Sequence, residues 1–490
     1  MRRKWSLFFV LLFCLVGIGG CDFSFAGEST KPVQPQTSEI HLSYITIGVP
    51  DRDLQIVNEE INRLLMEKLG FTITYTKIDW ENYPKQLSAM IASGSNFDIA
   101  FDTNYTQNAQ NSAWLDLNGY LETVGEEMYE AVDPLFWEGA TINGKIYGVP
   151  TNKELAVTKQ WIFPTELVEK YNIDLGNYTT LKSLEPLLSM IKEKEPEYLP
   201  MEMNPDLCSG LFSLYGFEFV REKELPLVIS SKSDKPEILN LFETPETQSL
   251  LILLREYYKK GYFNEDAALS VTPELLPGKK VFLSIASGGP HSETIWSRQR
   301  GYDVKSIPVT PPLVTTEDTR AAVMCINANT KYPLECIQFL NLLNTDPELR
   351  NLMNYGIEGI HYTLADNGQV IPSSEKRYEG VQYTQGNWFI LKTKGGEVPD
   401  PIDKWEQYQD FNASVEKSKV LGFTPDMNGL SAEVTAVKAV FEKYYPGLIT
   451  GTVDPYRFLP LFNRELEEAG INKIRIKLQE QLDAFLESQN

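Results

Sequence analysis

The sequence predicts an α/β protein with more than one lobe, opening on a parallel, doubly wound sheet. Two observations carry that expectation. Apolar residues early in the body switch between period 2 and helical spacing, in the order strand, helix, strand, helix, strand. The chain is also long: 490 residues, 42% hydrophobic and 23% charged, exceed what one compact core holds.

The elements follow in order. Met1-Arg2-Arg3-Lys4 is basic, Trp5 to Ile18 is apolar, and Gly19-Gly20 are small. That sequence of properties predicts a signal peptide over 1–20. Its apolar block is shorter than the roughly 20 residues a membrane span needs. Ile18-Gly19-Gly20-Cys21 resembles the lipobox of bacterial lipoproteins, which implies lipid attachment at Cys21 and anchoring on the outer face of the membrane. Residues 21–40 are rich in Ser, Thr, Pro, Gln and Gly and predict a flexible stalk.

Tyr44 to Val49 reads as a strand ended by Pro50. Ile56, Val57, Ile61, Leu64, Leu65 and Leu69 fall on one helical face, with Gly70 as the stop. Phe71, Ile73 and Tyr75 alternate with threonines as a second strand. A helix from Glu81 to Ser93 stops at Gly94, and Phe97 to Phe101 forms a third strand. In open α/β sheets ligands bind beyond the carboxyl ends of the strands. Pro50-Asp51-Arg52 and Asp102-Thr103-Asn104-Tyr105 lie at that edge, so ligand contacts are expected in both loops. Downstream, Asn143 to Pro150 is a turn entering a strand, and Leu250 to Tyr258 is an apolar helix. Lys280 to Ala286 is a strand followed by Ser287-Gly288-Gly289-Pro290-His291. Asp346-Pro347 starts a helix that Gly356 ends. A last amphipathic helix carries Ile471, Ile474, Leu478, Leu482 and Phe485.

The net charge is −22. Such a chain repels nucleic acid and anionic headgroups, so no nucleic-acid partner is expected and attachment to a membrane rests on the lipid. Cys208, Cys325 and Cys336 read as small buried apolar residues, with a Cys325–Cys336 bridge left open.

Enzyme signatures are absent. There is no HExxH, GxSxG, Walker A, CxxC or GxGxxG pattern, and His41, His291 and His361 are far apart in sequence. Carboxylates abound, but nothing singles out an acid/base pair. The expectation is therefore a binding protein without cofactor or metal. The 8 Trp, 24 Tyr and 24 Phe suit carbohydrate, because aromatic faces stack on sugar rings while polar groups take the hydroxyls. Trp296, shortly after the Gly-Gly-Pro turn, and Trp388, beside Asn387, are the tryptophans best placed for that role.

Several segments then point to a family. Ser93-Gly94-Ser95-Asn96-Phe97-Asp98-Ile99 and Asn143-Gly144-Lys145-Ile146-Tyr147-Gly148-Val149-Pro150 resemble segments of extracellular solute-binding proteins of bacterial ABC importers, sugar-binding type. Tyr355-Gly356-Ile357-Glu358-Gly359-Ile360-His361-Tyr362 resembles a Gram-positive lipoprotein subfamily. So do Gly422-Phe423 with Pro425-Asp426, and Ala469 to Ile474 with Gln479 and Gln481-Leu482-Asp483. The resemblance implies a two-lobe, periplasmic-binding-protein-like (type II) α/β fold with a hinge between the lobes. It implies one lobe of 41–152 plus 325–355 and another of 153–324 plus 356–490. It implies a monomer that closes on an oligosaccharide and delivers it to a permease. Family members touch ligand at the places of Asp51, Arg52, Asp102, Asn104, Tyr105, Asn152, Glu154 and His291. Asp102 stands where many sugar binders carry tryptophan, and His361 is expected to be structural. The alternatives left open are the same fold binding a peptide, polyamine or other small solute, a surface carbohydrate enzyme, and a sensory receptor subunit.

Overall fold

A computed structural model describes residues 40–206, 210–221, 225–269 and 280–489. The expected signal peptide, Cys21, most of the stalk and Cys208 lie outside the described residues. The strands of the first part of the chain are β1 (His41–Ile47), β2 (Thr72–Ile78), β3 (Ile99–Asp102), β4 (Gly148–Pro150), β5 (Thr158–Pro164), β6 (Tyr198–Met201), β7 (Phe217–Phe219), β8 (Leu227–Ser230) and β9 (Ile238–Asn240). Those of the second part are β10 (Lys280–Gly288), β11 (Val304–Pro308), β12 (Leu313–Val314), β13 (Val323–Ile326), β14 (Tyr362–Leu364), β15 (Val370–Pro372) and β16 (Glu416–Lys417).

The first lobe is built on a five-stranded sheet in the order β2-β1-β3-β13-β4. β1 pairs in parallel with β2 and β3, as the sequence predicts. β13, however, runs antiparallel to both β3 and β4, so the sheet is mixed rather than wholly parallel. The reason is connectivity. The chain leaves this lobe after β4 and returns into β13 at the same edge, where Val323 lies opposite both Asp102 and Pro150. A strand that enters there can only run back down the sheet. The helix Leu54–Lys68 buries Val57, Ile61, Leu64 and Leu65 against it, at about 1.5–3 kcal/mol for each fully buried aliphatic side chain. The helix Tyr83–Ser93 stops at Gly94, whose φ of 64° favours glycine.

The second lobe has a four-stranded sheet in the order β11-β5-β10-β6 and a smaller sheet β7-β8-β9. Trp161, Phe163, Leu250, Leu254 and Phe282 share its core with Ile471, Ile474, Leu478 and Leu482 of the last helix, Ile471–Ser488. Two glutamines fasten that helix. Gln479 Oε1 accepts from Ile238 N at 2.7 Å, and Gln481 takes both main-chain groups of Asp426, at 2.7 and 2.9 Å. A third, small cluster gathers Tyr355, Tyr362, Val370, Leu391, Trp405 and Tyr408, with Trp388 and Phe389 against it.

The cores do not follow the expected boundaries residue by residue. Leu155, Ala156, Val314, Ala322 to Met324 and Tyr378 all pack with the first core, although boundaries at 153, 325 and 356 assign them to the second lobe.

Among the described residues the chain passes between the two sheets at 151–157, 309–322 and 356–420. β12 and β16 pair in parallel, so two crossings lie side by side. The first crossing is clamped by two asparagines. Asn152 N donates to Gly386 O at 3.1 Å, its carbonyl accepts from Trp388 N at 2.9 Å, and its Nδ2 donates to Ala131 O at 2.8 Å. Asn412 Oδ1 accepts from Leu155 N and its Nδ2 donates to Lys153 O, both at 2.9 Å.

The Tyr355-to-Tyr362 motif is structural. His361 is buried; its Nδ1 accepts from Ile357 N at 2.9 Å. The ring proton therefore sits on Nε2, which faces Asp53 Oδ2 at 3.3 Å. Gly356 has φ 77°, and a Cβ there would come within 2.6 Å of His361 Nδ1.

Glu218 on β7 lies against the far end of the paired crossings, where its Oε2 accepts from Ser418 Oγ at 2.8 Å. Burial pushes its carboxyl up to about 7; the charge of Asp318 adds, and the Ser418 bond opposes. A raised folded pKa contributes stability that is complete below the unfolded value of about 4.3 and is lost as pH rises through the folded value. Thermal unfolding at pH 5 and pH 8 should thus show wild type losing more stability across that interval than Glu218→Gln. Equal losses would contradict this placement of the proton.

Candidate functional site

Two sheet edges face the crossings. In the first lobe the edge holds the ends of β1, β3 and β4 and the start of β13, with β2 outermost. In the second it holds the end of β10, the start of β5 and the end of β11, where Gly288 pairs with Thr158 and Pro308 with Gln160. A groove of 470 Å³ opens at the second edge, lined in part by Thr158, Gln160, Gly289, Pro290, Thr310 and Phe411. Gln160 is held by its own bonds, donating to Thr158 Oγ1 at 3.0 Å and accepting from Ser306 Oγ at 2.7 Å.

Beside the groove three of the expected residues converge on Tyr408. The His291 ring stacks on Tyr408 at 6.1 Å between centroids and 29° between planes. Trp388 stands 6.3 Å from Tyr408 and 6.2 Å from Trp405, with its Nε1 donating to Gln382 O at 2.9 Å. Glu154 packs under Gly289, where an added Cβ would come within 3.5 Å of its Cγ. The Gly-Gly-Pro turn puts His291 at φ 60°, an uncommon conformation for a residue with a side chain and a frequent mark of functional loops.

Two atoms in this cluster are buried without a hydrogen-bond partner: Glu154 Oε2 and His291 Nε2. A buried polar atom left unpaired costs about 1–3 kcal/mol. A ligand bearing hydroxyls satisfies both kinds of atom. Glu154 Oε1 is already engaged, 3.4 Å from the buried Lys153 Nζ. Burial works against the Lys153 charge, but Glu154, Tyr383 and Asp318 together hold its pKa above the ordinary lysine value. The cation therefore stays paired with Glu154.

The other expected residues are placed differently. Asn152 belongs to the clamp described above, leaving only Oδ1 unpaired. Asp51 is committed to Lys77 Nζ at 2.6 Å and to Glu379 N at 3.0 Å. Arg52 is exposed and reaches only toward Asp53 and Glu375. Asp102 is enclosed at 1% exposure, not open at the edge. It accepts from Trp114 Nε1 at 2.6 Å, Asn108 Nδ2 at 3.0 Å and Asn104 N at 2.7 Å. Burial raises its carboxyl pKa, and these donors pull against that. Tyr105 is also interior, donating to Ala140 O at 2.8 Å and accepting from Tyr147 N at 3.0 Å. Asn104 is exposed at the first edge. Trp296 covers the end of β10, so close that a Cβ on Gly288 would lie 2.6 Å from its ring. Sequence reasoning passed over Tyr408 and Phe411, both on the helix Lys404–Ser414. It also passed over Trp80, exposed just beyond β2.

The chain matches the bacterial extracellular solute-binding proteins over residues 64–360, more than half its length. This chain belongs to that family. The solute-binding protein also matches a domain of unknown function (DUF3502) over residues 419–487. It is 30% identical to a carbohydrate ABC transporter substrate-binding protein of Streptococcus pneumoniae, across 96% of each chain. Among solved structures it resembles the N-glycan transport solute binding protein NgtS of Streptococcus pneumoniae. The TM-score is 0.83 at 29% identity, covering 92% of this chain and 100% of that one. The same protein in complex with Man1GlcNAc aligns with a TM-score of 0.76, at 29% identity over 91% and 99% of the two chains. Two-lobed architecture, an extracytoplasmic location and capture rather than catalysis follow from membership. Among the described residues, no helix is long and apolar enough to cross a membrane.

The geometry separates scaffold from site in a way that mutation tests. Asp102→Ala strands the Trp114 and Asn108 donors inside the lobe, and unfolding in urea should show a loss of about 2–4 kcal/mol. Ligand affinity of the protein that remains folded should be unchanged. A folded variant of normal stability and reduced affinity would place Asp102 at the ligand instead.

Proposed function

We propose that this solute-binding protein captures an oligosaccharide of the N-glycan kind and passes it to the permease of an ABC importer. The observation that carries this reading is the half-buried Trp388 and His291 rings, backed by the buried Trp405 and Tyr408, beside the unpaired Glu154 Oε2 and His291 Nε2. Aromatic faces and unpaired polar atoms side by side are what a sugar ring asks of a site. Identity of about 30% to carbohydrate and N-glycan binders over nearly the whole chain supports it. Capture works by closure of the two lobes, which requires ligand to bind the closed arrangement more tightly than the open one. The protein acts as a monomer.

We further propose that Cys21 carries the lipid that holds it at the outer membrane face. The support is the Ile18-to-Cys21 sequence after a basic and apolar leader. Dual acylation gives durable anchoring.

Thermal unfolding with Man1GlcNAc and Man5GlcNAc, alongside peptides and polyamines, tests the ligand. At 100 times its Kd a glycan should add about 2.7 kcal/mol. Stabilisation by peptides or polyamines alone would refute carbohydrate capture. For the anchor, Cys21→Ala should move the protein from the membrane fraction to the medium. Retention of that variant in the membrane would refute lipidation at Cys21.

A further inference from the structure

Among the described residues one tryptophan is exposed. Trp114, Trp137, Trp161 and Trp405 are buried in cores, and Trp296 and Trp388 are half-buried against neighbours. Trp80 is 53% exposed. It therefore presents an indole face to solvent that a sugar ring can stack on.

Its position is defined by the sheet. β2 ends at Ile78, paired with Ile47, and Gly48 N donates to Ile78 O at 2.7 Å. Val49, 67% exposed, and Trp80 each lie two residues beyond the last paired residues of β1 and β2, Ile47 and Ile78, at the first-lobe edge. The turn that carries Trp80 is hydrogen-bonded. Asp79 Oδ1 accepts from Asn82 N at 3.1 Å and from Asn82 Nδ2 at 3.0 Å, and Tyr83 N donates to Asp79 O at 2.9 Å. These bonds lock the turn that presents the indole. On its other side, Lys77 is pinned by Asp51 and by Glu379 O at 2.7 Å.

Trp80 also lies across the sheet from the first crossing, although Glu379 and Val381 of the third pack beside Lys77 and Gly48. β2 is the outer strand of the order β2-β1-β3-β13-β4, and the first crossing leaves from β4 at the opposite end. Four strand spacings separate them, roughly 19 Å. A mono- or disaccharide held beside Tyr408 cannot cover that span, whereas a branched or extended glycan can.

We propose that Trp80, with Val49, forms a distal stacking platform for a sugar ring, a subsite that only the longer oligosaccharides reach. This rests on the carbohydrate reading above. The platform makes the site discriminate by glycan length, since the outer ring gains apolar contact with an indole carried on a hydrogen-bonded turn.

Calorimetric titration of the full-length protein with Man1GlcNAc and Man5GlcNAc tests it. Trp80→Ala should weaken Man5GlcNAc binding about fivefold and leave Man1GlcNAc binding within about twofold. Trp80→Phe, which keeps a ring, should recover most of the affinity. An unchanged affinity for both glycans, or an equal loss for both, overturns the platform while leaving carbohydrate capture intact. A wild-type protein that binds neither glycan overturns both. An unchanged melting temperature of Trp80→Ala is expected from its exposure; a large fall would assign the indole to folding and overturn the proposal.

Discussion

The clamp at residues 152–155 is the constraint on which the rest depends. A buried crossing cannot leave its main-chain groups unpaired, because each one lost costs about as much as a hydrogen bond. Asn152 and Asn412 meet that demand with their own amides and without repeating secondary structure. The partners they choose fix more than the crossing. Trp388 donates its main-chain N–H to Asn152, and Tyr408 lies one helical turn before Asn412. The aromatic cluster and the crossing are therefore one assembly. A rotation of either lobe about this point moves the cluster with it.

A buried cation secures the neighbouring segment. Arg350 is fully enclosed, and among the described residues no carboxylate pairs with it. Burial lowers its pKa to about 10, so it stays charged near neutrality. It donates to Asn354 Oδ1 and to Gln382 O, at 3.3 and 3.2 Å. Gly386 lies so close that a Cβ would come within 2.8 Å of both Arg350 Cδ and Leu343 O. Tyr44 OH donates to Gln385 Oε1 at 2.6 Å, and Tyr378 OH donates to Met353 O at 2.7 Å. Residues 378–386 are in this way stapled to the first lobe, although they follow its last helix in the chain. A boundary drawn at 356 from local sequence has no access to these long-range bonds.

Local elements were legible because their causes are local. Gly70 and Gly94 end helices through their own backbone freedom, and the Asp346 side chain caps the next helix by accepting from Leu349 N at 2.9 Å. The direction of β13 was not legible, since it depends on where a chain that left at 150 re-enters at 323. The site divides the same way. Glu154 and His291 flank a crossing and a Gly-Gly-Pro turn, features visible in sequence. Asp102 looked like an edge residue because strand ends usually are exposed; its enclosure comes from Trp114, twelve residues on. Tyr408 gave no signal, for its helix has polar residues on most sides and its neighbours in space come from residues 154, 291 and 388.

Cys325 and Cys336 are both free thiols and both fully buried, which settles against the bridge that the sequence left open. Burial holds each thiol above its ordinary pKa, so neither presents thiolate. The first lobe consequently owes nothing to a cross-link between them, and its stability is indifferent to the redox potential outside the cell. The same two atoms also make a clock. An alkylating reagent reaches them only when the lobe opens, so their rate of labelling measures how often the folded first lobe comes apart.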